Sequence, residues 1–229
     1  MTTGEAIDPR DRLLTTAFRL LEEQGPAALR ARTLTAEIGM STMALYTHFG
    51  GMPGLVEEIV REGLARFAAH VRSTTPETDD PMEHLLAGGI AYGEFALRNP
   101  QLYRLMFGVS DSARLRGFAS EADAGSATWT MAEGVDTFSV LLQSVERVID
   151  DGRFYPQDAT AAATQILSVT HGFLLMAIGG FFGDVERATQ DVMVPLTINL
   201  MVGLGDKREH VERSLAAAVA NRAGAWSAA

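Results

Sequence analysis

Nine consecutive residues, STMALYTHF at positions 41 to 49, combine hydroxyl, phenol and imidazole side chains with bulky apolar ones and contain no Lys or Arg. Such polar groups donate hydrogen bonds to phosphate oxygens and to base edges. The five His residues show no His-x-x-x-His or His-Glu pairing suited to a metal ion, and the chain has no Cys. It also lacks a Gly-x-Ser-x-Gly elbow and a Gly-rich phosphate loop after a strand. The residue types therefore predict binding chemistry, with no catalytic residue, metal or cofactor.

Helix-ending glycines surround this segment on both sides. Thr33 is a candidate N-cap of a short second helix that Gly39 ends. Ser41 then caps a third helix, which ends at the Gly pair of residues 50 and 51. A short helix, a tight turn and a second short helix form the helix-turn-helix pattern.

The third helix has a predicted buried line and a predicted outward face. If Leu45 and Phe49 face the core together with Leu34, the 100° step per residue fixes the opposite face. That outward face consists of Met43, Ala44 and Thr47.

The remaining side chains of this helix fall on its flanks and at its start. Tyr46 and His48 lie about 80° either side of the buried line, and Thr42 projects from the first turn. A helix in the major groove reads bases with its first turn and outward face, while its flanks pass the phosphates. Arg30 and Arg32 precede the second helix and are expected to reach the same DNA backbone.

The rest of the chain also predicts an all-α protein. Strand signals are few, and the polar turn RSTTPETDDP follows a fourth helix that extends to about Val71. Further helices are expected at 81–98, 100–107, 126–151, 157–181, 185–203 and 207–220.

Charge is distributed unevenly along the 229 residues. Residues 1–72 hold 8 Arg and 9 acidic residues, whereas the other 157 residues hold 11 basic and 20 acidic ones. The net charge of -10 argues against general coating of nucleic acid, so a polyanion should meet the first part. The start, MTTGEAIDPRDR, carries acids and a Pro where a signal peptide needs an apolar run, which favours a cytoplasmic protein.

Residues 10–67 resemble the DNA-binding domain of the TetR family of bacterial transcriptional regulators. The resemblance runs through LLTTAFRLLEEQG, TLTAEIGMSTMALYTHF and the apolar LVEEIV helix. It implies an all-α chain with a three-helix helix-turn-helix domain at 7–72, whose motif is 30–49, joined to a larger ligand-binding and dimerisation domain at 76–220. The DNA-contacting residues it implies, together with the geometry above, are Arg30, Arg32, Thr33, Ser41, Thr42, Met43, Ala44, Tyr46, Thr47 and His48.

Two positions depart from the family pattern. Met43 stands where the family has a small residue, so its side chain would face the groove against thymine methyls. Met52 stands where the family has a Lys on phosphate, three residues after the Phe. A dimeric binding module with weak or lost DNA affinity is therefore the alternative to a regulator.

The second domain offers candidates for a ligand pocket and for a dimer interface. Apolar and aromatic residues of its central helices are candidate pocket residues, although such residues more often form plain core. They are Tyr92, Phe95, Leu102, Met106, Phe107, Trp129, Phe138, Leu141, His171 and Met176.

Residues 159–183 run for 25 positions without a charged side chain. Thr160, Thr164, Ser168 and His171 nevertheless share one helix face, which suits a helix in a protein interior or interface better than a membrane span. His171 is expected either to bond a backbone carbonyl in the core or to touch ligand.

The expected partners are double-stranded operator DNA, a small-molecule effector and a second copy of the chain, with no membrane. The leading interpretation is a repressor released from its operator by a small apolar or amphipathic ligand. An enzyme is the rival class, and the absence of catalytic motifs argues against it. Two recognition helices about 34 Å apart, or a multiple of it, require a homodimer.

Overall fold

The structure, a computed structural model, describes residues 8–107 and 132–226. Every regular element in these two ranges is helical, which confirms the all-α prediction. The α-helices, in chain order, are α1 Pro9–Gln24, α2 Ala31–Glu37, α3 Thr42–Phe49, α4 Met52–Thr74, α5 Pro81–Arg98, α6 Pro100–Met106, α7 Ala132–Asp150, α8 Ala159–Ile178, α9 Val185–Ala188, α10 Val194–Leu204 and α11 Arg208–Trp226.

Capping side chains and glycines explain where several helices begin and end. The Asp8 side chain accepts a hydrogen bond from the Arg10 amide at 3.0 Å and caps α1. Gly50 ends α3 in the left-handed conformation, with φ of 70°, which glycine adopts without strain. Helix α5 spans residues 81–98, as predicted.

Two expectations about helix structure were wrong. Helix α2 starts at Ala31, with the extended Arg30 as its N-cap residue, so Thr33 lies inside the first turn and caps nothing. The single helix expected at 185–203 is divided into α9, a π-helical segment at Thr189–Met193, and α10. Helical periodicity alone does not distinguish a π turn from the α-helix that surrounds it.

The described residues divide into two compact units, 8–66 with 99–107 and 132–133, and 67–98 with 134–226. In the first unit α1 packs against α2, α3 and α6. Its fully buried side chains include Leu13, Ala17, Leu34, Leu45, Leu55 and Ile59 of α1 to α4 and Tyr103 of α6.

Helix α6, which the sequence placed in the second domain, belongs to this first unit. A Cβ built at Gly63 on α4 would lie 2.9 Å from Leu102 Cδ1 and 3.0 Å from Met106 Sδ. The glycine therefore lets α6 approach α4 closely.

The second unit is a helical bundle in which α5 packs against α8 and α11, and α10 packs against α8 and α11. Its core is mainly aliphatic and draws on α5, α7, α8, α10 and α11, with Phe154 from the segment after α7.

A buried ion network fixes the ends of the bundle in this unit. Arg153 lies 2.9 Å from Asp80 and 2.7 Å from Asp206, and Ser214 donates a hydrogen bond to Asp80 at 2.5 Å. Burial raises the pKa of Asp80, but the bond from Ser214 and the nearby Arg153 charge outweigh it and keep the pKa below 3.8. The network joins the start of α5, the segment after α7 and the start of α11.

Candidate nucleic-acid interface

The buried side of α3 is the one that the sequence predicted. Leu45 has no exposed surface, and Leu34 on α2 is equally buried. Phe49 and Ile38 are half-buried beside them. These apolar contacts fix the rotation of α3 about its axis.

The opposite side of α3 is open to solvent. Met43 is 67% exposed and Tyr46 60% exposed, and Thr42 and Thr47 are exposed as well. Tyr46 therefore lies nearly as far outward as the face itself, although the 100° projection put it on a flank. The Thr47 hydroxyl donates a hydrogen bond to the Met43 carbonyl at 3.0 Å, which leaves its oxygen lone pair directed away from the helix backbone.

The other residues expected at DNA differ in exposure. Ser41, Thr33, Arg30 and Arg32 are exposed, whereas Ala44 and His48 are half-buried. Ser41 is the N-cap residue of α3, but its side chain makes no capping hydrogen bond. The Ala44 amide donates to the Ser41 carbonyl at 3.0 Å, so the amides of Thr42 and Met43 are the ones available to an anion.

Two glycines hold the end of α3 in place: Gly54, which sequence reasoning missed, and Gly51, which it identified only as part of the helix end. A Cβ at Gly54 would lie 1.9 Å from the Phe49 carbonyl oxygen, so the first turn of α4 rests directly on the end of α3. A Cβ at Gly51 would lie 3.2 Å from Tyr46 Cε1, so the exposed phenol ring rests on the glycine backbone. A Gly in the first turn of a predicted helix, directly after Pro53, was the sequence signal for the first of these.

Most arginines of this unit are held by its own carboxylates or carbonyls. Glu58 accepts hydrogen bonds from Arg10 at 2.5 Å and from Arg61 at 2.6 Å. The Arg61 hydrogen bond is the main cause that lowers the pKa of Glu58 below 4.5, although burial opposes it. The Arg10 guanidinium also lies 5.2 Å from the centre of the Phe49 ring.

The two arginines beside α2 form fewer hydrogen bonds and ion pairs with the described residues. Arg30 Nε donates a hydrogen bond to the Ala27 carbonyl at 3.1 Å, which leaves its terminal nitrogens without a bond among the described residues. Arg32 is exposed and forms no ion pair with any side chain that the structure describes. These two side chains are the positive charges that this surface can offer to phosphate.

The ten predicted pocket residues are distributed over both units. Leu102, Met106 and Phe107 belong to the first unit, where Leu102 and Met106 pack on Gly63. Trp129 lies outside the described residues. In the second unit Phe138 and Leu141 are half-buried against the core, while Met176 is 43% exposed.

The remaining three belong to an aromatic cluster in the second unit. The Phe67 ring lies 4.7 Å from Tyr92 and 5.2 Å from Phe95, both edge-on. The Tyr92 hydroxyl is 3.3 Å from His171 Nδ1, and burial lowers the pKa of His171 below 6.5. His171 thus has a side-chain hydroxyl partner, and it favours the neutral imidazole.

A separate cavity of about 240 Å³ lies within the second unit, between α5, α8, the π-helical segment, α10 and α11. None of the ten predicted residues lines it. No group of three or more His, Asp or Glu suited to a metal ion occurs in the described part of the chain.

Helices α8 and α10 expose apolar side chains to solvent. Met176 on α8, Leu196 on α10 and Val192 on the π-helical segment are each more than two-fifths exposed. Helix α8 is also long and apolar enough to cross a membrane by length and composition. The hydroxyls of Thr164 and Ser168 on its polar stripe donate to backbone carbonyls one turn earlier.

Two sequence families match the two parts of the chain. Residues 13–59 match the bacterial regulatory proteins of the TetR family, and residues 85–198 match a tetracyclin repressor-like C-terminal domain. The nucleoid occlusion factor SlmA of Aliivibrio fischeri strain MJ11 is 26% identical over 180 residues, which cover 75% of this chain and 85% of that protein.

Solved structures share the fold. A protein from Rhodococcus sp. RHA1 aligns with a TM-score of 0.69 at 22% identity, covering 90% of this chain and all of the other. The TetR family transcriptional regulator PfmR of Thermus thermophilus aligns with a TM-score of 0.51 at 24% identity, covering 72% of this chain and 85% of the other. With both domains matched in order along the sequence, the chain belongs to the TetR family of bacterial DNA-binding transcriptional regulators.

Proposed function

We propose that this regulator is a cytoplasmic repressor that binds double-stranded operator DNA as a homodimer and is released by a small apolar or amphipathic molecule. The observation that carries the DNA half of the proposal is the exposed side of α3. Met43, Tyr46, Thr42 and Thr47 project from one eight-residue helix that has no acidic side chain. A surface of that composition suits base edges and phosphates together.

Within this proposal the roles of the α3 side chains follow from their positions. Thr42 in the first turn and Met43 on the outward face contact bases, the latter by apolar contact with thymine methyls. The Tyr46 hydroxyl, supported by Gly51 beneath its ring, donates to a phosphate. Arg30 and Arg32 supply charge to the same strand.

The homodimer forms through the apolar surface of α8 and α10. Met176, Val192 and Leu196 are large side chains on elements that a soluble monomer would leave in contact with water. Covering them with a second copy also places two recognition helices at one operator, which a single short helix cannot read specifically.

The test of the α3 assignment is a pair of variants measured on specific and unrelated duplexes. Tyr46→Phe removes one phosphate donor per subunit and two per dimer, so it should weaken both affinities about 10- to 100-fold, the value of two hydrogen bonds. Thr42→Ala should instead change the preference among operator variants while leaving non-specific binding intact. The phosphate role of Tyr46 is refuted by a Tyr46→Phe protein that binds both duplexes like the wild type.

One observation favours a second candidate, a dimeric ligand-binding module with weak DNA affinity. Arg10 and Arg61 are neutralised by Glu58, and Met52 occupies a position where phosphate contact would need a cation. Selection of genomic fragments that the purified protein retains at physiological salt separates the two functions. A repressor retains a small set of promoter fragments, whereas the module retains none.

The same selection addresses the SlmA relatives. Fragments scattered over the chromosome, without enrichment at promoters, would favour a nucleoid-associated role like the one their name states. Fragments confined to one or two promoters support a local repressor.

A further inference from the structure

The cavity in the second unit is partly open to solvent and has a volume of about 240 Å³. An apolar cavity of roughly 150 Å³ accommodates benzene, so this one has room for about ten non-hydrogen atoms.

Two glycines on α5 create the space. Gly89 and Gly93 line the cavity one turn apart on the same side of the helix as Leu86, Ile90 and Leu97. The backbone conformation does not require glycine at either position, because both residues have ordinary helical backbone. Glycine also destabilises a helix interior relative to alanine. A Cβ at Gly89 would meet no atom within 4 Å, and one at Gly93 would only reach Leu174 at 4.0 Å. These positions therefore keep open a volume that any other residue would reduce.

The opposite wall contains the π-helical segment. Thr189 and Met193, its first and last residues, both line the cavity, and Val194 and Thr197 continue the wall along α10. Short π-helical insertions cost backbone regularity and occur frequently at functional sites. Leu196, on the exposed surface that we assign to the dimer, lies between these lining residues of α10.

The chemistry of the lining limits what could bind. Leucine, isoleucine, valine, methionine and phenylalanine side chains provide most of the wall, so water is held poorly there. Thr170 and Thr197 offer hydroxyls to one polar group of a ligand. A charged group of a ligand would lose its hydration against this apolar wall, which favours an uncharged molecule. Exposed Gly89 and Leu97 mark where the cavity reaches the surface.

From these features we infer that the cavity is a binding site for an uncharged, mainly apolar molecule of about ten non-hydrogen atoms with a single hydroxyl or carbonyl group. The inference rests on the proposed function and gives it a site and a ligand class. Bound ligand contacts both ends of the π-helical segment and the inner side of α10. Ligand binding thereby favours one position of α10, the helix whose outer side contacts the second subunit.

The experiment uses the full-length protein and two matched probes, 4-ethylbenzyl alcohol and the anion 4-ethylbenzoate, in calorimetric titrations without DNA. The alcohol should bind with a Kd of about 1 mM or tighter, and the carboxylate at least about tenfold more weakly. Gly93→Leu directs a side chain toward Gly89 into the cavity and should abolish binding of the alcohol. Gly88→Ala is the matched control, since it changes a neighbouring glycine of α5 that does not line the cavity.

Thr197→Leu fills the cavity from the other wall without altering a glycine, so it replaces Gly93→Leu if that variant does not fold. The inference is overturned if the wild type does not bind the alcohol at millimolar concentration. It is equally overturned if a folded filling variant binds as the wild type does, or if the anion binds as well as the alcohol. Operator release is measured separately by fluorescence anisotropy. A probe that binds in the cavity but leaves operator affinity unchanged supports the site and contradicts ligand-induced release.

Discussion

Two exposed helical surfaces of this chain present large apolar side chains to solvent, but their surroundings differ. On α3, Met43 and Tyr46 alternate with hydroxyl-bearing residues next to an uncapped helix N-terminus. On α8 and α10, Met176 and Leu196 lie among small and aliphatic residues, on helices without a charged side chain. Exposure alone therefore does not identify a partner. A mixed surface at a helix start suits DNA, whereas an uncharged surface with large apolar side chains suits a second copy of the chain.

The largest effect is expected from charges on the apolar surface. Met176→Glu combined with Leu196→Glu buries four carboxylates in each dimer and should convert it to a monomer. Operator affinity should fall about 100-fold or more, because two half-sites no longer bind together. Sedimentation velocity and anisotropy at the same protein concentration measure both effects.

The control for this variant is Val219→Glu, which charges an apolar residue of α11 that is 54% exposed. It should remain dimeric and bind DNA normally. If the double variant stays dimeric at micromolar concentration, the interface lies elsewhere. Ala177, the residue after Met176 on α8, is only 5% exposed, so a charge there would test folding rather than association.

The difference in exposure between the adjacent residues Met176 and Ala177 is an example of what the sequence alone does not predict. The Gly and Pro residues that stop helices act locally, and α3 and α5 accordingly lie where they were predicted. The outward direction of α8 depends on which of its faces α5 and α10 cover, and adjacent residues point 100° apart. The cavity was out of reach for a related reason, because the space that Gly89 and Gly93 leave open depends on which helices pack opposite α5.

The second prediction concerns the support beneath the α3 surface. Gly54→Ala places a Cβ against the Phe49 carbonyl oxygen and forces α4 away from α3. We expect a loss of about 2–3 kcal/mol in unfolding free energy and weaker binding to all DNA sequences. Urea denaturation followed by circular dichroism measures the first effect. Gly88→Ala, whose Cβ would meet its nearest neighbour at 3.8 Å, should be neutral or stabilising. Equal stability of the two variants would show that α4 does not rest on the end of α3.

The third prediction tests whether the arginines of the first unit serve the fold. The pKa of Glu58 is lowered from 4.5 in the folded chain, so its ion pairs stabilise the protein above that pH. This stability is lost as the pH falls through the folded pKa. Glu58→Gln should therefore cost about 1 kcal/mol near pH 7, and the gap to the wild type should narrow below pH 4.5.

Denaturant titrations at several pH values measure that gap. Glu62→Gln is the matched control, because the Glu62–Arg66 pair also lies on α4 but both side chains are more than a third exposed. Its effect should be close to zero at every pH. A gap for Glu58→Gln that stays constant from pH 7 to pH 3 would contradict the role of its carboxylate charge.

The smallest effect is expected at Met52, the first residue of α4, which is half-buried. Its side chain is on the DNA-binding unit but contributes no charge, and Arg10 and Arg61 of the same unit are held by Glu58. Met52→Lys adds one possible phosphate contact per subunit, and each neutralised phosphate contributes about -0.9 to the slope of log K against log salt. The slope should steepen by up to about 1.8 per dimer, with a gain in affinity at low salt. This gain should be equal for all sequences, because phosphate contacts carry no base information.

If Met52 instead packs as an apolar contact of α4, the lysine leaves the slope unchanged and lowers the melting temperature. Salt titrations and thermal melts of the same two proteins therefore decide whether the start of α4 belongs to the DNA surface or to the core beneath it.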